Sequence, residues 1–144
     1  MSDTTTDKAA DDFHTAIEAA SVKPLWEWHK GPPTTEPEPP APHVWRWETM
    51  SALLDDAARV VPMEHVERRV LTLMSPQLEN SRSTTTTNLT GALQILMPGE
   101  TALPHRHSAN ALRFVIEGDG AETVVNGKPC PMGARDMIIT PDWT

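Results

Sequence analysis

The chain is short of several things that would narrow a function. It has one cysteine, Cys130, in 144 residues. It can form no internal disulfide, and a reducing compartment suits it. A thiol nucleophile needs a base beside it, and the residues around Cys130 supply none, so a small packing role is the plainer reading. Basic residues are also scarce. The 12 Lys and Arg against 20 Asp and Glu leave a net charge of −8, without the basic footprint that nucleic acid or an anionic membrane requires. No apolar stretch nears the ~20 residues that span a bilayer. The opening MSDTTTDKAADDF is acidic, where a signal peptide is basic and then apolar. A cytoplasmic location is the expectation. Hydrophobic residues make up 38%, thinnest in the first third, so the core is expected to come mostly from the last two thirds.

Proline is what the chain has in excess, with 14 residues. Residues 31–42, GPPTTEPEPPAP, favour polyproline II and read as a semi-rigid connector, with a ligand for an SH3-like partner as the alternative. Tryptophan pairs flank it, Trp26 with Trp28 and Trp45 with Trp47. Alternating aromatics in extended segments suggest an arm that buries them on the domain itself or on a neighbouring subunit.

Hydrophobic spacing divides the chain further. Ala9, Phe13, Ala16, Ile17 and Ala20 recur as on a short amphipathic helix, behind seven residues expected to be disordered. Thr49 is a candidate cap for a second helix carrying Met50, Leu53, Leu54, Ala57, Val60 and Val61, with Pro62 as its stop. From Arg68 the period becomes two. Arg69, Leu71 and Leu73 share one face, and Val70, Thr72 and Met74 the other. Residues 77–82 read as a loop, 84–87 as the entry to a strand, and 90–97 as a strand with Gln94 beside Ala92 on one face. Further strands are expected at 103–107, 111–117, 121–125 and 136–140. Asn126-Gly127 is a strong two-residue hairpin signal, and Gly118-Asp119-Gly120 reads as a second hairpin turn. The fold class is therefore mainly β, a sandwich or barrel. Its expected divisions are a polar lead-in over 1–23, a Trp- and Pro-rich arm with a helix over 24–67, and a barrel over 68–144.

The stretch 98–120, PGETALPHRHSANALRFVIEGDG, holds the candidate site. In an extended segment His105 and His107 point one way and Arg106 the other, so two imidazoles can take adjacent positions on one metal ion. Imidazole suits Fe(II), Zn(II), Mn(II) and copper alike, and ligand type alone does not choose. Arg113, in the apolar ALRFVIEG, either snorkels to solvent or meets an anion; Arg69 poses the same question in RRVLTLM. Gln94 is expected to be a buried amide donor. His14, His29, His43 and His65 lie outside this stretch and are not expected to be ligands. Asp142, near the chain end, is left out of the candidate set.

The spacing G-x5-H-x-H, followed by an apolar strand and a Gly-rich turn, resembles the first motif of the cupin superfamily. Most cupins carry a Glu ligand with three or four residues between it and the second histidine; here those places hold Ala111 and Leu112. HRHSANALRFVIEGDG instead is similar to gentisate 1,2-dioxygenases and to the related salicylate and 1-hydroxy-2-naphthoate dioxygenases, and PLWEWHK and HVWRW resemble their N-terminal region. The resemblance spans roughly Pro24 to Thr144.

It implies a partial cupin-type β-barrel with an N-terminal helical and proline-rich arm. It also implies Fe(II) held by His105 and His107, and a substrate pocket served by Arg113, Arg69 and Gln94. The implied reaction opens an aromatic ring with O2, taking gentisate to maleylpyruvate, so the partners would be a small aromatic hydroxy acid and O2, with no nucleic acid or membrane. The full-length form would be a homo-oligomer. In that family the third ligand is a histidine in a run of the form I-T-P-x-W-T-W-H. This chain reads Ile139-Thr140-Pro141-Asp142-Trp143-Thr144, so it is expected to be a fragment inactive by itself, with a non-catalytic cupin fragment as the rival reading.

Overall fold

The computed structural model describes residues 4–24, 26, 41–77, 85–86 and 88–143. Trp28, His29, most of the proline run and residues 78–82 lie outside them, so the expectations for those segments have no structural counterpart. The chain divides into two compact units, Met1–Leu103 and Pro104–Thr144.

The first unit is built on two amphipathic helices. Helix α1 (Thr4–Ala19) starts within the stretch expected to be disordered. Phe13 and Ile17, four residues apart on one of its faces, are buried. They meet Met50, Leu53, Leu54 and Ala57 of α2 (Trp47–Val60), together with Val22 and Leu71. Most of this core, Met50, Leu53, Leu54, Ala57 and Leu71, comes from the last two thirds as the composition suggests, and the first third adds Phe13, Ile17 and Val22 because a few apolar residues at helical spacing suffice to make one buried stripe.

Helix α2 begins two residues before Thr49. Arg46, extended at φ −70° and ψ 132°, accepts the N–H bonds of Thr49 and Met50 at 3.1 and 3.0 Å, so Thr49 already lies inside the first turn and caps nothing. The helix stops as expected: the Val61 N–H closes on the Ala57 carbonyl and Pro62 follows. This early start breaks the second tryptophan alternation. Trp47 opens the helix, whereas Trp45 packs against the core and donates its indole N–H to the Ser21 carbonyl at 3.1 Å. Trp26 packs on the same core.

Strands β1 (Val22–Pro24), β2 (Val70–Leu73) and β3 (Gly91–Gln94) form an antiparallel sheet with β2 central. Val70, Leu71 and Thr72 are all buried, so β2 does not show the half-exposed alternation that a period of two suggests. At β3 the alternation holds. Leu93 and Ile95 pack on the core, and Gly91 lies against Thr85, whose hydroxyl donates to the Leu73 carbonyl at 2.8 Å and accepts the Gly91 N–H at 2.6 Å.

The second unit has four strands in two antiparallel ladders, β4 (Ala111–Phe114) with β7 (Met137–Thr140), and β5 (Ala121–Val125) with β6 (Lys128–Met132). The ladders do not close into a barrel among the described residues. Asn126-Gly127 makes the expected tight hairpin, with φ of 50° and 75° and Val125 facing Lys128. Gly118-Asp119-Gly120 does not. It joins β4 to β5, which belong to different ladders, while β4 finds its partner in β7, nested outside the β5–β6 hairpin.

Strand β6 reads Lys-Pro-Cys-Pro-Met and was not expected. A two-residue hairpin fixes Val125–Lys128, Thr123–Cys130 and Ala121–Met132 as the hydrogen-bonded pairs. Pro129 and Pro131 therefore occupy the intervening positions, where no N–H is asked of them.

Segment 103–107 is not a strand. Pro104 has no N–H to donate, and the bonds the segment makes are isolated ones: the Leu103 carbonyl accepts from Arg68 Nη2 at 3.2 Å and the His107 carbonyl accepts the Trp143 N–H at 2.9 Å. No helix of the described residues is long and apolar enough to cross a membrane.

Candidate active site

Within the second unit, the β4–β7 register sorts residues between two faces. Cross-strand partners share a face, so Leu112 and Ile139, with Phe114 and Met137, lie on one side, and all four are exposed. Ala111, Arg113, Ile138 and Thr140 lie on the other. Arg113 and Thr140 are diagonal neighbours there, and the guanidinium Nη1 donates to the Thr140 hydroxyl at 2.5 Å. Thr140 is 5% exposed.

That face borders a concave pocket of about 450 Å³. Pro104, His105, Arg106 and His107 line one side, Arg113 and Thr140 another, and the hairpin residues Val124–Gly127 a third. The two imidazoles thus stand together although their segment is irregular. Their ring centroids are 5.3 Å apart and the rings are tilted by 57°. The rings adjoin as alternation would have them, although alternation is not what places them. It failed for Arg106, expected on the opposite face but also at the pocket, because a segment without ladder pairing need not alternate.

The pair suits adjacent positions on one ion. With metal–nitrogen bonds of about 2.1 Å, two imidazoles bound at roughly a right angle or a little more have centroids some 4.5–5.3 Å apart. His107 Nδ1 lies 2.5 Å from the Ala109 carbonyl oxygen. A carbonyl only accepts, so this hydrogen bond requires a proton on Nδ1, and in the neutral ring that leaves the lone pair on Nε2. Among the described residues, no three His, Cys, Asp or Glu side chains come together as a complete ligand set. The residues present therefore fit two positions of a metal ion.

Two other candidates lie in the first unit. Arg69 is 2% exposed and ion-paired with Glu100. Its Nε and Nη1 have no hydrogen-bond partner among the described residues. The Met97 backbone N–H, with the Arg69 guanidinium second, holds the Glu100 carboxyl below its ordinary range. Gln94 is exposed, not buried as expected: Leu93 and Ile95 take the core side of β3 and leave Ala92 and Gln94 outward. Of the histidines set aside, His14 packs edge-on against Phe13 at 5.7 Å, His43 against Trp45 at 4.7 Å, and His65 is exposed in a short 3-10 turn. Cys130 is half-buried in β6.

Sequence reasoning missed Thr140, Arg106 and the hairpin wall. Thr140 becomes visible only once β4 is known to pair with β7, a contact between residues 27 apart for Arg113 and Thr140. The Asn126-Gly127 signal was visible, but its placement at the pocket was not.

Residues 92–144 match the cupin domain family. Gentisate 1,2-dioxygenase 1 of Aquipseudomonas alcaligenes is 41% identical over 137 residues, covering 94% of this chain and 39% of that protein. A gentisate 1,2-dioxygenase of a Ralstonia species is 37% identical over 134 residues, covering 90% and 37%. Among solved structures, salicylate 1,2-dioxygenase from Pseudoaminobacter salicylatoxidans, as adducts with gentisate, superposes with a TM-score of 0.66 at 37% identity, over 93% of this chain and 37% of that one. These matches liken residues 92–144 to the cupin superfamily. Within it, the likeness is to the gentisate 1,2-dioxygenase family. The chain spans about two fifths of the length of these relatives.

Proposed function

We propose that this chain carries part of the active site of a ring-cleaving dioxygenase acting on gentisate or a closely related ortho-hydroxybenzoate. The observation that supports it most is the convergence of His105, His107 and Arg113 on one pocket, with Thr140 fixing the arginine. His105 and His107 would hold Fe(II). When bound, the iron supplies a Lewis-acidic, redox-active centre for coupling an electron-rich ring to O2.

The chain's own residues do the rest. With its Nδ1–H committed to the Ala109 carbonyl, His107 would present Nε2 to the metal. Arg113 offers a fixed cation to the substrate carboxylate: one of its five N–H groups is held by Thr140, which restricts the guanidinium plane while leaving donors for a carboxylate. The hairpin wall at Val124 and Val125 gives the ring an apolar surface. Salicylate and 1-hydroxy-2-naphthoate share the ortho-hydroxy carboxylate that this arrangement addresses, and they are the alternatives within the same reading. Arg69 and Gln94 belong to the other unit, and the reading does not rest on them. Assembly with further copies and a cytoplasmic setting belong to the same proposal.

The test is anaerobic loading with Fe(II), followed by metal analysis and oxygen uptake with gentisate. Wild type should take up iron, and His105→Ala/His107→Ala should not, while keeping its circular dichroism spectrum. One iron per chain retained in the double variant would sink the assignment. Where turnover is found, it should require iron and yield the ring-opened product.

A further inference from the structure

The segment carrying His107 into β4 is Ser108-Ala109-Asn110, exposed and without ladder pairing of its own. Three hydrogen bonds hold it. The Trp143 N–H donates to the His107 carbonyl at 2.9 Å. The Asp142 N–H donates to the Asn110 side-chain carbonyl, Oδ1, at 3.1 Å. The His107 Nδ1–H donates to the Ala109 carbonyl at 2.5 Å. Two consecutive backbone N–H groups after β7 thus clasp both ends of the histidine segment. Trp143 adopts φ +56°, a left-handed conformation uncommon for a bulky residue, at the residue that makes one of these contacts.

We propose that Asn110 is a positioning residue for His107, acting through the Ala109–Asn110 peptide to fix the imidazole's tautomer and orientation for metal binding. The peptide group is planar, so the direction of the Ala109 carbonyl is set by where Asn110 sits. Asn110 is pinned on one side by Ala111, which enters the ladder opposite Thr140, and on the other by its own side chain on Asp142. The carbonyl so aimed receives the Nδ1 proton and leaves Nε2 unprotonated. Carbonyls and carboxylates commonly do this for metal-bound histidines, and their loss typically costs 10–100-fold in metal affinity. Here the carbonyl belongs to the backbone, so the residue that can be varied is the one that aims it. The metal role of His107 rests on the function proposed above; the tautomer does not.

The experiment uses the 144-residue chain with 15N-labelled histidine. Long-range 1H–15N spectra of the metal-free protein at about pH 8, above the ordinary histidine range, report each ring's tautomer. The wild type should show His107 as Nδ1–H. In Asn110→Ala the Nε2–H form should grow and Zn(II) affinity, measured by titration, should fall about tenfold. Asn110→Asp keeps an oxygen acceptor for the Asp142 N–H and should restore both readouts. The proposal is overturned if wild-type His107 is mainly Nε2–H, a result that does not depend on any variant folding. It is also overturned if a folded Asn110→Ala matches wild type in both tautomer and affinity, or if Asn110→Asp behaves like Asn110→Ala. Should the tautomers shift as expected while no form of the chain binds Zn(II) or Fe(II), the metal reading fails and the action of Asn110 on His107 stands.

Discussion

Removing Arg113 tests the substrate reading most directly. In the Arg113→Ala variant the pocket loses its fixed cation, and the hydroxyl of the buried Thr140 loses the guanidinium donor. A hydrogen bond to a charged group contributes roughly 1.5–3 kcal/mol, which is about a ten- to hundredfold change in binding. That figure applies to the substrate carboxylate alone, so the comparison should isolate it. Salicylate and salicylamide differ at that group and little elsewhere. Wild-type chain loaded with Fe(II) under argon should prefer salicylate by about that factor. Arg113→Ala should bind both weakly and alike. Arg113→Lys should recover only part of the preference, because an ammonium lacks the planar fork that Thr140 orients. Thr140→Val should keep the charge but free the guanidinium, and so lower the preference less than Arg113→Ala does. Iron content should stay near wild type throughout. An unchanged salicylate preference in Arg113→Ala would refute the reasoning and leave the arginine as a structural partner of Thr140.

The remaining expectations concern stability. Glu100 has a depressed folded pKa, so the stabilisation it gives is present above the unfolded value near 4.3 and is lost as pH falls through the folded one. The stability gap between wild type and Glu100→Gln should therefore shrink as the pH of denaturant melts is lowered from 6 to about 3, and a constant gap would remove Glu100 from the account. Gly127→Ala should destabilise by about 1–2 kcal/mol, since φ is +75° and nothing lies within 4 Å of the added Cβ; a neutral result in thermal melts would show that the turn relaxes. Gly91→Ala should cost about 1–3 kcal/mol for a different reason. Its Cβ would meet the Thr85 hydroxyl oxygen at 3.0 Å, and that hydroxyl is held by Leu73, so a variant as stable as wild type would mean the Thr85 contact is loose.

What could be read from the sequence was what is local. Pro62 stops α2 because a proline lacks the N–H and crowds the preceding turn, and that needs no tertiary partner. Asn126-Gly127 makes its hairpin because both residues tolerate positive φ. The H-x-H pair was legible as a motif, and its immediate neighbours place the rings together. The failures share a cause in pairing at long range. Gly118-Asp119-Gly120 has the composition of a hairpin turn, but whether β4 meets β5 or β7 is decided by residues 20 to 30 positions away. Segment 103–107 has a passable strand pattern, but it contains Pro104 and is tied by isolated bonds, to Arg68 and to Trp143, so it has no ladder to join. Gln94 was expected inside because its strand is apolar, yet Leu93 and Ile95 claim the core and alternation puts Gln94 outside. The Thr49 cap lost to Arg46, whose extended backbone let the helix begin sooner.

The prolines of β6 reach beyond the hairpin that holds them. In this ladder the N–H groups that would point away from β5 are those of residues 129 and 131, and both are proline. The outer border of β6 therefore carries carbonyl oxygens and no amide protons within its two interior outward positions. An incoming strand could offer donors there but would find none to accept, so half of every exchange would be missing. Strand β5 has no such defect, because Glu122 and Val124 carry ordinary N–H groups on its outer border. The hairpin is thus polarised: sheet can be added beside β5, and it terminates at β6. A chain with exposed Leu112, Phe114, Met137 and Ile139 a short way off gains from that asymmetry, since edge-to-edge growth into aggregates is blocked on one side by covalent structure alone.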